Sequence, residues 1–234
     1  MMQKIDRRKT YILVIDTETA NGTITKEGKT DFRDCQVYDF GYAVIDKCGN
    51  VYNTGSFVNE QVFEKNHFMK SAYFAEKIPQ YKEDIKNGKR VLTDWFYIKQ
   101  EVKRICDLYN IKAICAHNAA FDVRACNSTQ RYLTKSRFRY FFPYGIEIWD
   151  SLKMARDVIL KQPTYIRFCE RNGYVTSTGK PRATAEILYK YITLDNDFVE
   201  KHTGLEDVLI EKEIIAYCFR QKRKMRKCLY GAKE

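Results

Sequence analysis

The sequence predicts one α/β domain built on a mixed central sheet flanked by helices. Three observations lead there. Residues 11–15 are a short apolar run rich in β-branched side chains, ending in the polar Asp16-Thr17-Glu18-Thr19, the pattern of a buried central strand. Two more strand-like runs follow, joined by a glycine-containing turn. Past residue 93 the pattern changes to helix–strand–helix–strand–helix, which adds two parallel strands to three antiparallel ones.

The elements run as follows. After the first strand comes a polar loop with Asn21-Gly22 and Glu27-Gly28. Residues 37–46 and 51–58 are strands on either side of Cys48-Gly49-Asn50, an antiparallel meander. Residues 60–90 are polar and irregular, with helix expected around 70–77. Thr93 can cap a helix running to Tyr109, with Phe96, Val102, Ile105 and Cys106 at helical spacing. Residues 113–116 are a short buried strand. A helix over 119–132 follows, with Asn118 as its cap. Residues 146–149 are the last strand, and Asp150 caps the next helix. Residues 161–200 are helical in pieces around a loop at 176–181. A final helix begins near Thr203, where Thr203-x-x-Glu206 has the form of a capping box, and runs into the basic stretch 220–227.

Composition narrows the function classes. With 234 residues, 44% hydrophobic, the chain is long enough for one sizeable core. Lysine and arginine number 41 against 30 acids, a net charge of +11, which favours polyanionic partners and nucleic acid first among them. Lys-rich surfaces also occur in proteins that bind no polyanion. Seventeen tyrosines and fourteen phenylalanines include candidates for stacking on unpaired bases. No two of the eight cysteines form a C-x-x-C pair, which argues against a zinc ribbon. The charged start and the lack of a long apolar stretch argue against a signal peptide or membrane span, so a cytoplasmic protein with reduced thiols is expected.

Three segments carry acids where chemistry needs them. Asp16 and Glu18 at a strand end project to one face, where they repel unless a cation lies between them; Mg2+ and Mn2+ prefer such oxygen ligands. Two solvated residues, one capping a turn, would look the same. Asp122, in His117-Asn118-Ala119-Ala120-Phe121-Asp122, falls in the first turn of a helix, where the helix dipole alone favours a carboxylate. His202 lies just outside the last helix and Asp207 in its first turns; a surface histidine beside an ordinary cap fits that segment equally.

Taken together, Asp16-x-Glu18, Asp122 in its His-Asn-Ala-x-Phe-Asp context, and His202 five residues before Asp207 resemble the DEDD exonuclease superfamily, in its histidine (DEDDh) variant typified by DnaQ-like proofreading subunits and ribonuclease T. The match spans about residues 10–220. It implies a ribonuclease-H-like fold, two divalent ions (Mg2+ or Mn2+), and 3′→5′ hydrolysis of DNA from single-stranded or frayed ends with release of nucleoside monophosphates. Residues 1–219 would be the exonuclease domain, with a core from about 10, and 220–234 a basic tail. By resemblance, Asp16, Glu18, Asp122 and Asp207 hold the metals and His202 is the general base. Thr19, Ala20 and Phe121 would meet the terminal nucleotide, and His117 and Asn118 flank it or hold the helix start. The family often has two threonines and a glycine after the glutamate; here the segment is Thr19-Ala20-Asn21-Gly22. Asp150 stands where the family often has an aspartate and is read as a cap.

Arg131, Lys135, Arg137 and Arg139, interleaved with Tyr132, Phe138 and residues 140–142, form a stretch that can track a strand or simply end a helix. The run 220–227, with six positive charges, is a second phosphate-binding candidate. An RNA-trimming exoribonuclease with the same site is the alternative function, and a nucleic-acid-binding module with a degenerate site is a third. A DNA polymerase is a possible partner class; oligomeric state is not legible.

Overall fold

The structure is a computed structural model that describes residues 5–20, 23–24, 30–31, 34–65, 69, 72, 75–134 and 139–230. Its frame is a six-stranded sheet. The strands are β1 (Ile12–Ala20), β4 (Gln36–Ile45), β5 (Val51–Asn59), β6 (Val91–Thr93), β7 (Ala113–Ala116) and β8 (Glu147–Asp150), in the spatial order β6-β5-β4-β1-β7-β8. A separate pair, β2 (Thr23–Ile24) and β3 (Thr30–Asp31), lies in the loop after β1. β4 runs antiparallel to β1 and β5, while β7 is parallel to β1 and β8 to β7. The expected three antiparallel and two parallel strands are therefore present. β6, parallel to β5 at the far edge, has only three residues, too few to show an alternation in sequence.

Period-two alternation in β1 divides the core. Leu13 and Ile15 face one side, with Phe40, Tyr42 and Val44 of β4, and pack against α3 (Trp95–Tyr109) and α4 (Ala120–Thr134). Ile12 and Val14 face the other, with Ala43 and Ile45, under α5 (Ser151–Val158), α7 (Ala185–Thr193) and α8 (Gly204–Arg220). All four β1 side chains are fully buried, each worth about 1.5–3 kcal/mol of transfer free energy. The same alternation puts Asp16 and Glu18 on the α8 side as β1 leaves the core. Helices α1 (Glu60–Phe63), α2 (Ile78–Lys86) and α6 (Pro163–Arg171) complete the described elements. Of the helix expected near 70–77, Ala75–Lys77 is a 3-10 turn. Residues 70, 71, 73 and 74 lie outside the described residues, as do Asn21-Gly22, Glu27-Gly28, Lys135, Arg137 and Phe138.

Two caps differ from expectation. Asp94, not Thr93, caps α3, its carboxylate accepting the N–H of Tyr97 at 2.7 Å, because Thr93 is still paired with Asn59 in β6. Asn118 precedes α4 with a left-handed backbone (φ 65°), whereas a capping residue is extended. Asp150 does cap α5, accepting the N–H of Leu152 at 3.0 Å.

At the end of α8 and beyond it, the basic residues 220, 222–224 and 226 are exposed, but the chain does not leave the domain there. Residues 227–229 return to the exposed edge of β8: Asp150 donates its N–H to the Lys227 carbonyl and Leu229 to the Ile148 carbonyl, both at 2.8 Å. None of the eight cysteines forms a disulfide. Among the described residues no helix is long and apolar enough to cross a membrane.

Candidate active site

The site forms where α8 begins. Glycines make the approach possible: a Cβ on Gly41 of β4 would lie 2.2 Å from the carbonyl carbon of Gly204 and 2.3 Å from the nitrogen of Leu205. Any side chain there would push the helix off the sheet. The start of α8 is fixed by Asp39, fully buried on β4, whose carboxylate accepts the Gly204 N–H at 2.9 Å. Asp39 is held in turn by the Tyr81 hydroxyl at 2.6 Å and the Arg90 guanidinium at 3.1 Å. Arg90 reaches onward to Glu206 at 2.8 Å. The anticipated capping box is therefore not formed. The Thr203 hydroxyl donates to Glu206 at 2.8 Å, and the Thr203 N–H goes instead to Asp207 Oδ2 at 3.0 Å.

This docking sets Asp207 beside the strand acids. Carboxylate oxygens of Asp16, Glu18 and Asp207 all lie within 4.8 Å of one another. Asp122 approaches from α4, buried, with the hydroxyl of Thr17 donating to its Oδ1 at 2.8 Å. The four acids strain one another's ionisation. Burial, then Asp39 and Asp207, pushes Glu18 up to about 9. Burial, with Glu200 nearby, pushes Asp207 up to about 8, and burial pushes Asp122 up to about 7. Asp16 is raised well above the carboxylate range by burial and by Asp122.

His202 sits on the entering loop in a left-handed conformation (φ 50°). Its imidazole forms a second close group with Glu200 and Asp207, again within 4.8 Å, and Nδ1 is 3.9 Å from Glu200 Oε2. The loop backbone is gripped by the Lys77 ammonium, which bonds the carbonyls of Lys201 and His202. Burial and then Lys77 lower the His202 pKa, so the ring is neutral, and able to accept a proton, near neutral pH.

The residues expected to contact substrate are distributed unevenly. Thr19 and Phe121 are half-buried beside the acids in sequence, and Arg124 lies over the Phe121 ring at 5.9 Å. Ala20 is buried in a cluster with Tyr38 and Val62. Asn118 is exposed, and its N–H goes to Asp150 Oδ1 at 3.0 Å. His117 has both ring nitrogens engaged at 2.9 Å: Nε2 donates to the Ala183 carbonyl, so Nδ1 of the neutral ring accepts from Ser151. Sequence reading passed over Glu200 and Glu211. Glu211 is 3% exposed and accepts the His117 N–H at 3.1 Å. The available signal was its spacing, four residues after Asp207 in an otherwise apolar helix face.

A cleft of about 1260 Å³ opens beside these groups, lined by Asp16, Glu200 and Glu211 and by Arg156, Lys180 and Arg182. Carboxylates in its lining repel phosphate unless cations neutralise them. The donors fit divalent ions: they are all oxygens, and Asp207 Oδ1 is buried with no hydrogen-bond partner among the described residues.

No family model matches the chain, and no curated protein does. Solved structures do. Exonuclease I from Methylocaldum szegediense superposes with TM-score 0.51 at 16% identity, over 92% of this chain and 41% of that one. The E. coli exonuclease I–single-stranded DNA complex, in its zinc-bound form, gives 0.51 at 14%, over 92% and 42%. Pop2p of S. pombe, in its Mg2+- and Mn2+-bound form, gives 0.50 at 12%, over 90% and 82%. The chain shares the ribonuclease-H-like fold of these structures. It spans about two fifths of the length of the exonuclease I chains. Asp16 and Glu18 stand within the central strand, which runs on to Ala20 and not to an end near residue 15 as its apolar run suggests, and Asp122 and Asp207 stand at two helix starts.

Proposed function

We propose that this chain is a metal-dependent 3′→5′ exonuclease of the histidine subgroup, acting on single-stranded or frayed DNA ends and releasing nucleoside monophosphates. The observation that carries the reading is the convergence of Asp16, Glu18 and Asp207 within 4.8 Å, with His202 in the same reach of Asp207. Three acids from two distant segments, mostly removed from water, would not be held together for stability, since like charges in a low-dielectric site destabilise the fold.

Asp16, Glu18, Asp122 and Asp207 would hold two Mg2+ or Mn2+ ions. Such ions, when bound, make water a better nucleophile and neutralise charge on the phosphate. His202 accepts the proton of the attacking water on a ring nitrogen, and Glu200 beside it stabilises the imidazolium that results. Arg156, Lys180 and Arg182 in the cleft lining attract the backbone of the strand. The E. coli relative solved with single-stranded DNA is consistent with that substrate class.

The test is a degradation time course with Mg2+ or Mn2+ on 5′-labelled single-stranded DNA, duplex DNA and RNA. A ladder shortening toward the label on DNA is expected, with no turnover by a folded Asp16→Asn protein. Faster trimming of RNA would reassign the substrate, and near wild-type turnover by Asp16→Asn would overturn the site.

A further inference from the structure

Helix α8 carries a second acid on the face that bears Asp207. Glu211 lies one turn further along, and residues four apart on a helix sit one above the other. One of its oxygens is committed: Oε1 accepts the His117 N–H at 3.1 Å, which aims the side chain at the end of β7. The other, Oε2, is buried and has no hydrogen-bond partner among the described residues. Glu211 lines the same cleft as Asp16, and burial, with the charge of Asp122, raises its pKa well above the usual carboxylate range. Its helix neighbours Val208, Ile210, Ile214 and Ile215 are buried and apolar. Packing therefore does not call for a carboxylate. The bond to His117 does not call for a charge either, since a glutamine would accept it equally well. A buried, half-satisfied carboxylate facing other carboxylates costs free energy unless a cation lies among them.

We infer that Glu211 is a fifth carboxylate of the divalent-metal centre, its Oε2 available to an ion held beside Asp16 in the cleft the two residues share. The inference rests on the metal-dependent reading above and adds a residue to it. Five carboxylates against two divalent ions leave one net negative charge, so the centre retains its ions more tightly than a four-acid site. Oε1, fixed by the His117 backbone, keeps the side chain oriented before any ion arrives.

The test is a Mn2+ titration of the metal-free full chain, followed by calorimetry and by the electron paramagnetic resonance of free Mn2+. Two ions are expected for the wild type. Glu211→Gln keeps the volume and the acceptor for His117 but removes the charge. It should leave the melting temperature in EDTA unchanged or higher, and weaken one Mn2+ site by about 10–100-fold, the usual effect of losing a supporting group at a metal site. Glu211→Asp, which keeps the charge on a shorter stem, should bind the second ion more tightly than Glu211→Gln.

Two ions bound by Glu211→Gln with wild-type constants would overturn the inference while leaving the exonuclease reading intact. So would a drop in its EDTA melting temperature as large as the drop with Mn2+, which would make Glu211 a brace for His117. Wild-type protein that binds no Mn2+, or Asp16→Asn protein that binds it normally, would overturn the metal reading and this inference together.

Discussion

Gly41 and Gly204 touch backbone to backbone: a Cβ on Gly204 would come within 2.7 Å of the Gly41 nitrogen and 3.3 Å of the Asp16 carbonyl oxygen. That contact sets the height of α8 above β1 and β4, and with it the distance from Asp207 to Asp16. Fold and proposed chemistry meet at this pair.

Gly41→Ala should therefore cost both stability and metal binding. The new methyl group meets backbone, which cannot rotate away, so the loss should reach the upper part of the roughly 1–3 kcal/mol range for overpacking. Melting temperature and the Mn2+-induced rise in it should both fall. A folded Gly41→Ala protein with wild-type metal affinity would show that the glycine pair does not position Asp207.

The strained acids make stability depend on pH with a definite sign. In the absence of divalent ions Glu18 is pushed up to about 9, Asp207 to about 8 and Asp122 to about 7, with burial the first cause in each. These folded-state values lie above those of the unfolded chain, near 4. Between the two, the folded protein keeps protons that the unfolded chain has released. Stability is then fully present below about pH 4 as far as these groups are concerned, and falls as pH rises toward about 9. Excess Mg2+ holds the carboxylates ionised in the folded state and should flatten the slope. Melting curves in EDTA and in Mg2+ between about pH 5 and 9 should diverge as pH increases; parallel curves would mean the acids do not bind the ion.

His202→Ala should lower turnover by about 10²–10⁴-fold, the usual contribution of a general base, and leave Mn2+ affinity nearly unchanged, because the proposed ligands are oxygens. Since burial and Lys77 lower the imidazole pKa, the wild-type rate should fall on the acid side below the ordinary histidine value. That limb should vanish in the variant. Wild-type-like turnover at saturating metal would reduce His202 to a bystander at the start of α8.

Much of this was legible along the chain. The apolar run of β1 and the two-residue spacing of Asp16 and Glu18 put both acids on one face of a strand, though the strand continues past them to Ala20. Asp122 and Asp207 stand at helix starts that their neighbours mark. Long-range contacts were not legible. The start of α8 is capped by Asp39, 165 residues away in sequence, and Arg90 takes Glu206 away from the local capping pattern that Thr203-x-x-Glu206 displays. Glu211 was missed for the same reason. Its spacing from Asp207 is visible, but which face of α8 meets β1 is decided by Gly41 and Gly204.

The basic stretch after α8 offers the last test. From sequence it resembles a solvated tail for phosphates, yet its later residues form an antiparallel bridge on β8, Cys228 opposite Trp149. Besides the two backbone bonds to Asp150 and Ile148, the Lys153 ammonium bonds the carbonyls of Cys228 at 3.1 Å and Leu229 at 2.7 Å. Arg226 forks onto Asp157 at 2.8 and 3.0 Å and holds that carboxyl well below the usual range. The Arg226 pair is exposed, so Arg226→Ala alone should cost under about 1 kcal/mol. A stop after Gln221 removes all of these contacts at once and uncovers a parallel edge whose last residue, Asp150, also accepts the Asn118 N–H beside the site. The melting temperature should fall by several degrees, at about 2–4 °C per kcal/mol for a chain of this size, and turnover should drop with it. If the stretch only held phosphates, the truncated protein would melt like the full chain, and its nucleic-acid affinity would depend less steeply on salt.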